Sequence, residues 1–466
     1  MAFCSTVFIF FFLPCVFLLY VISPGIKLKN FWLLIASLFF YAFGEPFAVL
    51  LLILSGIVNY LLGLMMKKEK LKKASLFLAV FLNIGVLVIF KYTNFFIELI
   101  NSATGLSIPL TQITLPIGIS FFTFQAMSYV IDIYRGSVTP QRSFFKVLLY
   151  LAFFPQLVAG PIVKYHDIEL QIENRKLSAE GVSAGIRRFI MGLSKKLLIA
   201  NTMASVADRI FDLNTSELSI TIAWIGAVSY MFQIYFDFSG YSDMAIGLGA
   251  MFGFTFKENF NYPYVSTSIR EFWTRWHISV SSWFKEYLYF SLGGNKKGTL
   301  KTYRNKLIVF FCTGLWHGAN LTFILWGMIH GFVMIFEQKF KLDKTDKLPA
   351  LRRIYTLIVV CLTFVIFRAD SIFQAVSYIG KMFAGFESTS EISAMLLGIL
   401  NPLYLTVFVF AVVFSTPVYR AVSGILIGKN SVAFDTISYV VSLVLLGLCI
   451  LNLSASSYNP FIYFRF

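Results

Sequence analysis

Apolar runs recur along almost the whole chain, from Phe8 to Leu453, with short polar or charged stretches between them. The runs are continuous rather than alternating, so they read as helices and not as strands of a membrane barrel. A bilayer core about 30 Å thick needs roughly 20 apolar residues per helix. On that measure the pattern predicts an all-α polytopic membrane protein with about ten or eleven transmembrane helices. Candidate spans lie near 6–22, 31–43, 46–66, 74–91, 114–131, 144–160, 219–236, 305–336, 354–367, 395–416 and 434–453, and 1–466 reads as one integral-membrane domain. Ala159-Gly160-Pro161 breaks a run that is already short, so a re-entrant segment fits there as well as a crossing. Irregular backbone at membrane depth is tolerated only where protein or a watery cavity covers it, and such a break points to a cavity.

Two stretches carry helical periodicity without the length or purity of a span. In 182–198, Val182, Ile186, Phe189, Ile190, Leu193 and Leu197 recur at helical spacing, with Arg187, Arg188 and Lys195 elsewhere on the wheel. In 270–287, Phe272, Trp273, Trp276, Val280, Trp283, Phe284 and Tyr287 fall within an arc of roughly 120°, opposite Arg270, Thr274, Arg275, Ser281 and Lys285. Tryptophan on one face and cations on the other predict a single helix lying in the membrane interface.

Composition sharpens this picture. The chain of 466 residues is 58% hydrophobic, 18% aromatic and only 13% charged, with a mean hydropathy of +0.76. Soluble domains carry about 25% charged residues, so a soluble enzyme and a disordered protein are both excluded. The net charge of +16 is gathered between apolar runs, as in 67–73 and 339–353. That is the placement expected of cytoplasmic loops rather than of a nucleic-acid surface, and it sets the 23–30 and 67–73 loops inside. Cys4, Cys15, Cys312, Cys361 and Cys449 lie in or beside apolar runs without metal-ligand spacing, so neither a disulfide framework nor a zinc site is indicated. The N-terminus shows no basic n-region and no small-residue cleavage site. Inspection reveals no internal repeat of the transporter type.

Four histidines can be weighed one by one. His317 lies inside an apolar run, where a polar side chain is costly and faces the protein interior or a watery cavity. It reads equally well as a bridge between helices. Asn320, three residues on, would share its face of an unbroken helix and fix the imidazole tautomer. His277, near the boundary of the 270–287 wheel, reads as an interface residue. His330 would stand about 220° round the helix from His317 and reads as a supporting or packing group. His166, after the Gly-Pro break, reads as solvated. Asp237 and Asp243 flank Gly240 and hold an ion or substrate, or else Ser239, Ser242 and Asp243 cap a broken helix. With no nucleotide loop, thiol dyad or metal cluster in competition, the most economical chemistry is proton abstraction from a hydroxyl or thiol by a membrane-embedded histidine, and hence group transfer.

Several of these residues stand in an order that carries a resemblance. Asp237-Phe-Ser-Gly-Tyr-Ser-Asp243, Phe260-Asn-Tyr-Pro-Tyr264, Glu271-Phe-Trp-Thr-Arg-Trp-His277 and Leu315-Trp-His317-Gly follow one another. Upstream stand Leu115-Pro-Ile-Gly-Ile-Ser-Phe-Phe-Thr-Phe-Gln125 and Val158-Ala-Gly-Pro161. Together they resemble the membrane-bound O-acyltransferase family over nearly the whole chain, and within it the bacterial alginate and peptidoglycan O-acetylation branch. The teichoic acid D-alanyl transferases are related. The resemblance implies a multi-helix core around a central tunnel in a bacterial cytoplasmic membrane. It implies His317 as the catalytic residue and His277 as a tunnel-lining one, with Trp316, Arg275, Trp276, Asp237, Asp243, Asn320 and His330 in support.

The end of the chain, 454–466, reads on its own as an interfacial aromatic belt. Asn459-Pro-Phe-Ile-Tyr-Phe-Arg-Phe466 nevertheless resembles the C-terminal peptide that carries an acyl group on tyrosine in envelope acylation systems, and the matching residue is Tyr463. The implied reaction moves acetyl from a cytosolic thioester, acetyl-CoA, to a cell-envelope or exported polysaccharide, with no bound cofactor or metal. Its implied partner is an extracellular or membrane-tethered, esterase-like (SGNH-type) acetyltransferase. D-alanyl transfer to teichoic acid and a proton-relaying transporter or flippase are the competing expectations.

Overall fold

The computed structural model describes all residues except 346, 385–389, 430 and 456–466. Among the described residues every regular element is helical. Among the described residues five helices are long and apolar enough to cross a bilayer: Ala48–Met65, Glu69–Thr104, Leu321–Lys339, Pro349–Arg368 and Val432–Ala455. A sixth candidate, Pro402–Phe414 with Val418–Gly424, is bent by 65°. The expected ten or eleven is not reached by that measure. Several apolar runs are broken into short helices, such as Phe144–Ala152 and Phe154–Leu157, and Gly25–Ala42 carries Lys27 and Lys29 in its first turns.

The chain forms two compact units, one of 1–189 with 242–257 and one of 190–241 with 258–466. The helix Ile220–Met251 runs from the second into the first. In the first unit, phenylalanines 3, 8, 12, 40 and 154 interlock as an aromatic core. Asn59 and Asn83 exchange amide hydrogen bonds of 2.8 and 3.3 Å between buried helix faces, polar glue of the kind apolar bundles use. The segment after Leu157 is irregular through Lys164, yet every residue of 158–164 is buried. The predicted break is therefore real, and protein covers it.

The second unit corrects three sequence expectations. The run 305–336 is not one span but a hairpin of Thr299–His317 and Leu321–Lys339. Its two arms touch so closely that a Cβ on Gly314 would sit 2.5 Å from the Phe323 carbonyl, and one on Gly327 would strike the Phe310 carbonyl. Second, 270–287 is not one helix. Ile269–Arg275 and Ile278–Trp283 are separated at His277, whose φ of 42° lies in the left-handed region, and a π-type turn Phe284–Tyr289 follows. All seven residues of the predicted aromatic arc are buried, while Arg270, Thr274 and Lys285 are exposed. The two-faced pattern holds, but its aromatic face packs on protein. Third, Gly240 does not break its helix, which is continuous from Ile220 to Met251. A Cβ on Gly240 would lie 2.8 Å from the Gly192 carbonyl, so the glycine serves a close helix crossing.

Candidate active site

His277, His317 and His330 all lie in the second unit, among its tryptophans. His317 ends its helix where the hairpin turns, since Gly318 is extended and a side chain there would run into the Phe323 ring. The imidazole is 7% exposed and packs against Trp316 at 4.8 Å, Trp326 at 5.1 Å and Phe367 at 5.2 Å between ring centroids. Trp316 also touches His277 at 5.9 Å, so one indole contacts both imidazoles.

His277 owes its position to a short polar latch. Ile278 N–H donates to the Asn259 carbonyl at 2.9 Å, and Asn261 N–H donates to the Arg275 carbonyl at 2.9 Å. The Asn259 side-chain oxygen accepts from Ser279 N–H at 3.1 Å, from the Ser279 hydroxyl at 2.9 Å and from His277 Nδ1 at 3.2 Å. A backbone N–H can only donate, so the amide orientation is fixed by its neighbour. His277 Nδ1 therefore carries the proton and Nε2 the lone pair. Burial pushes this imidazole well below the ordinary histidine range, and the nearby His317 adds to the effect. A non-glycine residue at positive φ stores strain of about 1–3 kcal/mol, which the latch on both sides sustains. Phe238 meets the ring edge-on at 4.4 Å.

His330 is used up by packing. Trp273 Nε1–H donates to His330 Nδ1 at 3.3 Å, so His330 Nε2–H donates to the Thr363 hydroxyl at 3.1 Å, which itself donates to the Val360 carbonyl at 3.0 Å.

The remaining predicted residues are placed as follows. Trp276 is buried against Phe260, Phe272 and Phe364. Arg275 is bound to Glu271 at 2.9 Å and to the Asn261 carbonyl at 3.1 Å. Asp237 forms an ion pair with Lys196 at 2.8 Å, both almost fully buried. Asp243, in the first unit, pairs with Arg188 at 2.8 Å, and His166 with Asp132 at 2.8 Å. The capping expected of Ser239, Ser242 and Asp243 does not arise, because there is no break to cap. Asn320 does not share a face with His317, because the helix ends between them. It caps the next helix, accepting from Thr322 N–H at 3.0 Å, and donates to the Asp370 carbonyl at 2.9 Å. Tyr463 lies outside the described residues.

Two residues of the site were not foreseen. Asn259 stands just before the Phe260 motif, in a polar pair whose only sequence signal is an amide beside an aromatic run. Glu337, fully buried, accepts from Ile269 N–H at 2.7 Å and Arg270 N–H at 3.2 Å, anchoring the start of the helix that leads to His277. A buried glutamate in an apolar helix was the signal available for it.

Comparison with known proteins adds the following. The membrane-bound O-acyltransferase family matches residues 139–378. A protein named "Probable alginate O-acetylase AlgI" from Pseudomonas putida is 40% identical over the whole of both chains. A peptidoglycan O-acetyltransferase of Helicobacter pylori is 35% identical, covering 99% of this chain and 97% of its own. A teichoic acid D-alanyltransferase of Bacillus subtilis is 28% identical, covering 53% of this chain and 65% of its own.

Proposed function

The chain belongs to the membrane-bound O-acyltransferase family, and from that premise we propose that it is a membrane O-acetyltransferase serving a cell-envelope or exported polysaccharide. The donor in this reading is acetyl-CoA on the cytosolic side of a bacterial cytoplasmic membrane. The observation that carries the reading is His317: a buried imidazole in an aromatic shell, in a chain that matches a protein named for alginate O-acetylation along its full length. The D-alanyl alternative has less support, because the likeness to that relative spans only 53% of this chain.

His317 takes the proton of the attacking hydroxyl as oxygen adds to the acyl carbon, and returns it to the departing thiolate. His277 Nδ1–H is spent on Asn259 and Nε2 carries no proton, so the imidazole has no donor left for the acyl carbonyl. It positions the reacting groups by packing, beside Trp316, and does not polarise the acyl carbonyl. Tyr463 serves as an intermediate acceptor: its phenolate oxygen displaces the thiolate, and an SGNH-type extracellular transferase collects the acetyl from the aryl ester.

The test is acetyl release and transfer by purified full-length protein, with acetyl-CoA and a D-alanyl carrier-protein thioester offered separately. Turnover of acetyl-CoA alone supports the reading; turnover of the D-alanyl donor alone replaces it. Tyr463→Phe should still consume donor slowly by hydrolysis but leave the polymer unacetylated. Normal polymer acetylation by that variant would reduce the tail to an aromatic anchor.

A further inference from the structure

His277 and His330 leave one requirement of acyl transfer unmet. The carbonyl oxygen gains negative charge as the hydroxyl adds, and it needs hydrogen-bond donors. His277 Nδ1–H is committed to Asn259, and both His330 nitrogens are engaged. Two buried donors on the second arm of the hairpin have no hydrogen-bond partner. Trp326 Nε1 belongs to an indole that is 1% exposed, and Thr322 Oγ1 to a side chain that is fully buried. They are four residues apart in Leu321–Lys339 and therefore share one face, a turn apart. The Trp326 ring is enclosed by His317 at 5.1 Å, Phe367 at 5.0 Å, His330 at 5.2 Å and Trp273 at 5.6 Å. The Trp273 N–H is itself spent on His330. Polar groups kept buried without a partner are costly and call for an explanation, and a ligand that supplies the acceptor is one.

We propose that Trp326 Nε1–H and Thr322 Oγ1–H bind the oxygen of the acyl carbonyl and stabilise the oxyanion formed when His317 activates the acceptor. This rests on the general-base reading of His317 given above. The acceptor oxygen bonds to the acyl carbon while its proton passes to His317. The carbonyl π pair moves to oxygen, where the two donors receive it. The pair then returns, the carbon–sulfur bond breaks, and the thiolate leaves with the proton from His317. These donors act on the developing charge rather than on the resting thioester, so their loss falls on kcat and not on KM.

The experiment uses full-length protein in lipid nanodiscs with acetyl-CoA, measuring kcat, KM and the thermal midpoint for wild type, His317→Ala, Trp326→Phe, Thr322→Val and Thr322→Ser. Trp326→Phe should lower kcat about 100-fold, with KM and the midpoint near wild type. Thr322→Val should lower kcat roughly tenfold, and Thr322→Ser, which keeps the hydroxyl, should restore it. If Trp326→Phe and Thr322→Val turn over normally while His317→Ala is inactive, the donor pair is wrong and the general base stands. A wild-type rate in His317→Ala removes the reading on which the pair depends. Should Trp326→Phe fold poorly, the threonine pair decides: equal rates in Val and Ser overturn the proposal, and a Val-only loss upholds it.

Discussion

Asn259 sets the tautomer of His277, and its removal has a cost that the structure lets us work out. Asn259→Ala deletes the acceptor of three donors in a site that is 0% exposed at Asn259 and 1% at His277. The Ser279 hydroxyl can rotate to another acceptor and the His277 proton can move to Nε2, but the Ser279 backbone N–H cannot turn away. That one buried donor left unmade costs about 1–3 kcal/mol. Denaturant titration of the protein in mild detergent, followed by tryptophan fluorescence, measures that loss. Asn259→Asp keeps the acceptor and adds a charge that favours the imidazolium, so it should fold but carry a raised His277 pKa. Wild-type His277 stays neutral across the physiological range because burial holds its pKa well below the ordinary value. In Asn259→Asp the Nε2 lone pair is then lost as pH falls, and donor turnover should decline on the acid side at a higher pH than in wild type. A stability loss under about 0.5 kcal/mol for Asn259→Ala, with an unshifted acid limb for Asn259→Asp, would refute the latch.

Other consequences follow from the same packing. Lys196→Met strands the Asp237 carboxylate and should destabilise by about 3–5 kcal/mol, whereas Lys196→Met with Asp237→Leu should recover most of that loss in the same titration. Gly327→Ala should push the hairpin arms apart, lowering the thermal midpoint and acetyl transfer together. Because the folded pKa of His277 is depressed, its stabilising contribution is full above the unfolded value near 6.5 and is lost as pH falls through the folded one. His277→Asn should flatten the stability curve over that acidic window, as read by unfolding at stepped pH.

The helical, membrane-embedded character was legible because apolar periodicity is a property of every residue in a run. The 270–287 face was legible too, down to each buried ring from Phe272 to Tyr287, but its partner was not. An aromatic stripe looks the same whether lipid or a protein core covers it. The hairpin at 305–336 was missed because Gly318-Ala319 is too short and apolar to signal a turn. Gly318 is extended and a side chain there would strike the Phe323 ring, so the turn needs a glycine. Asn320 was consequently placed on the wrong helix face. Histidine rarity brought out His277 and His317, and motif order raised both. A polar residue beside an aromatic run or inside an apolar helix marks Asn259 and Glu337 as unusual but not what they hold, since each acts on backbone far along the chain from itself.

In the proposed reaction a base at His317 drives acyl transfer. Its most direct test is acetate on the exported polymer in cells that express His317→Ala at wild-type level in the membrane, alongside acetyl-CoA turnover by the purified variant. Both should fall to background while the thermal midpoint stays within a few degrees of wild type. Polymer acetylation at the normal level in His317→Ala would contradict it.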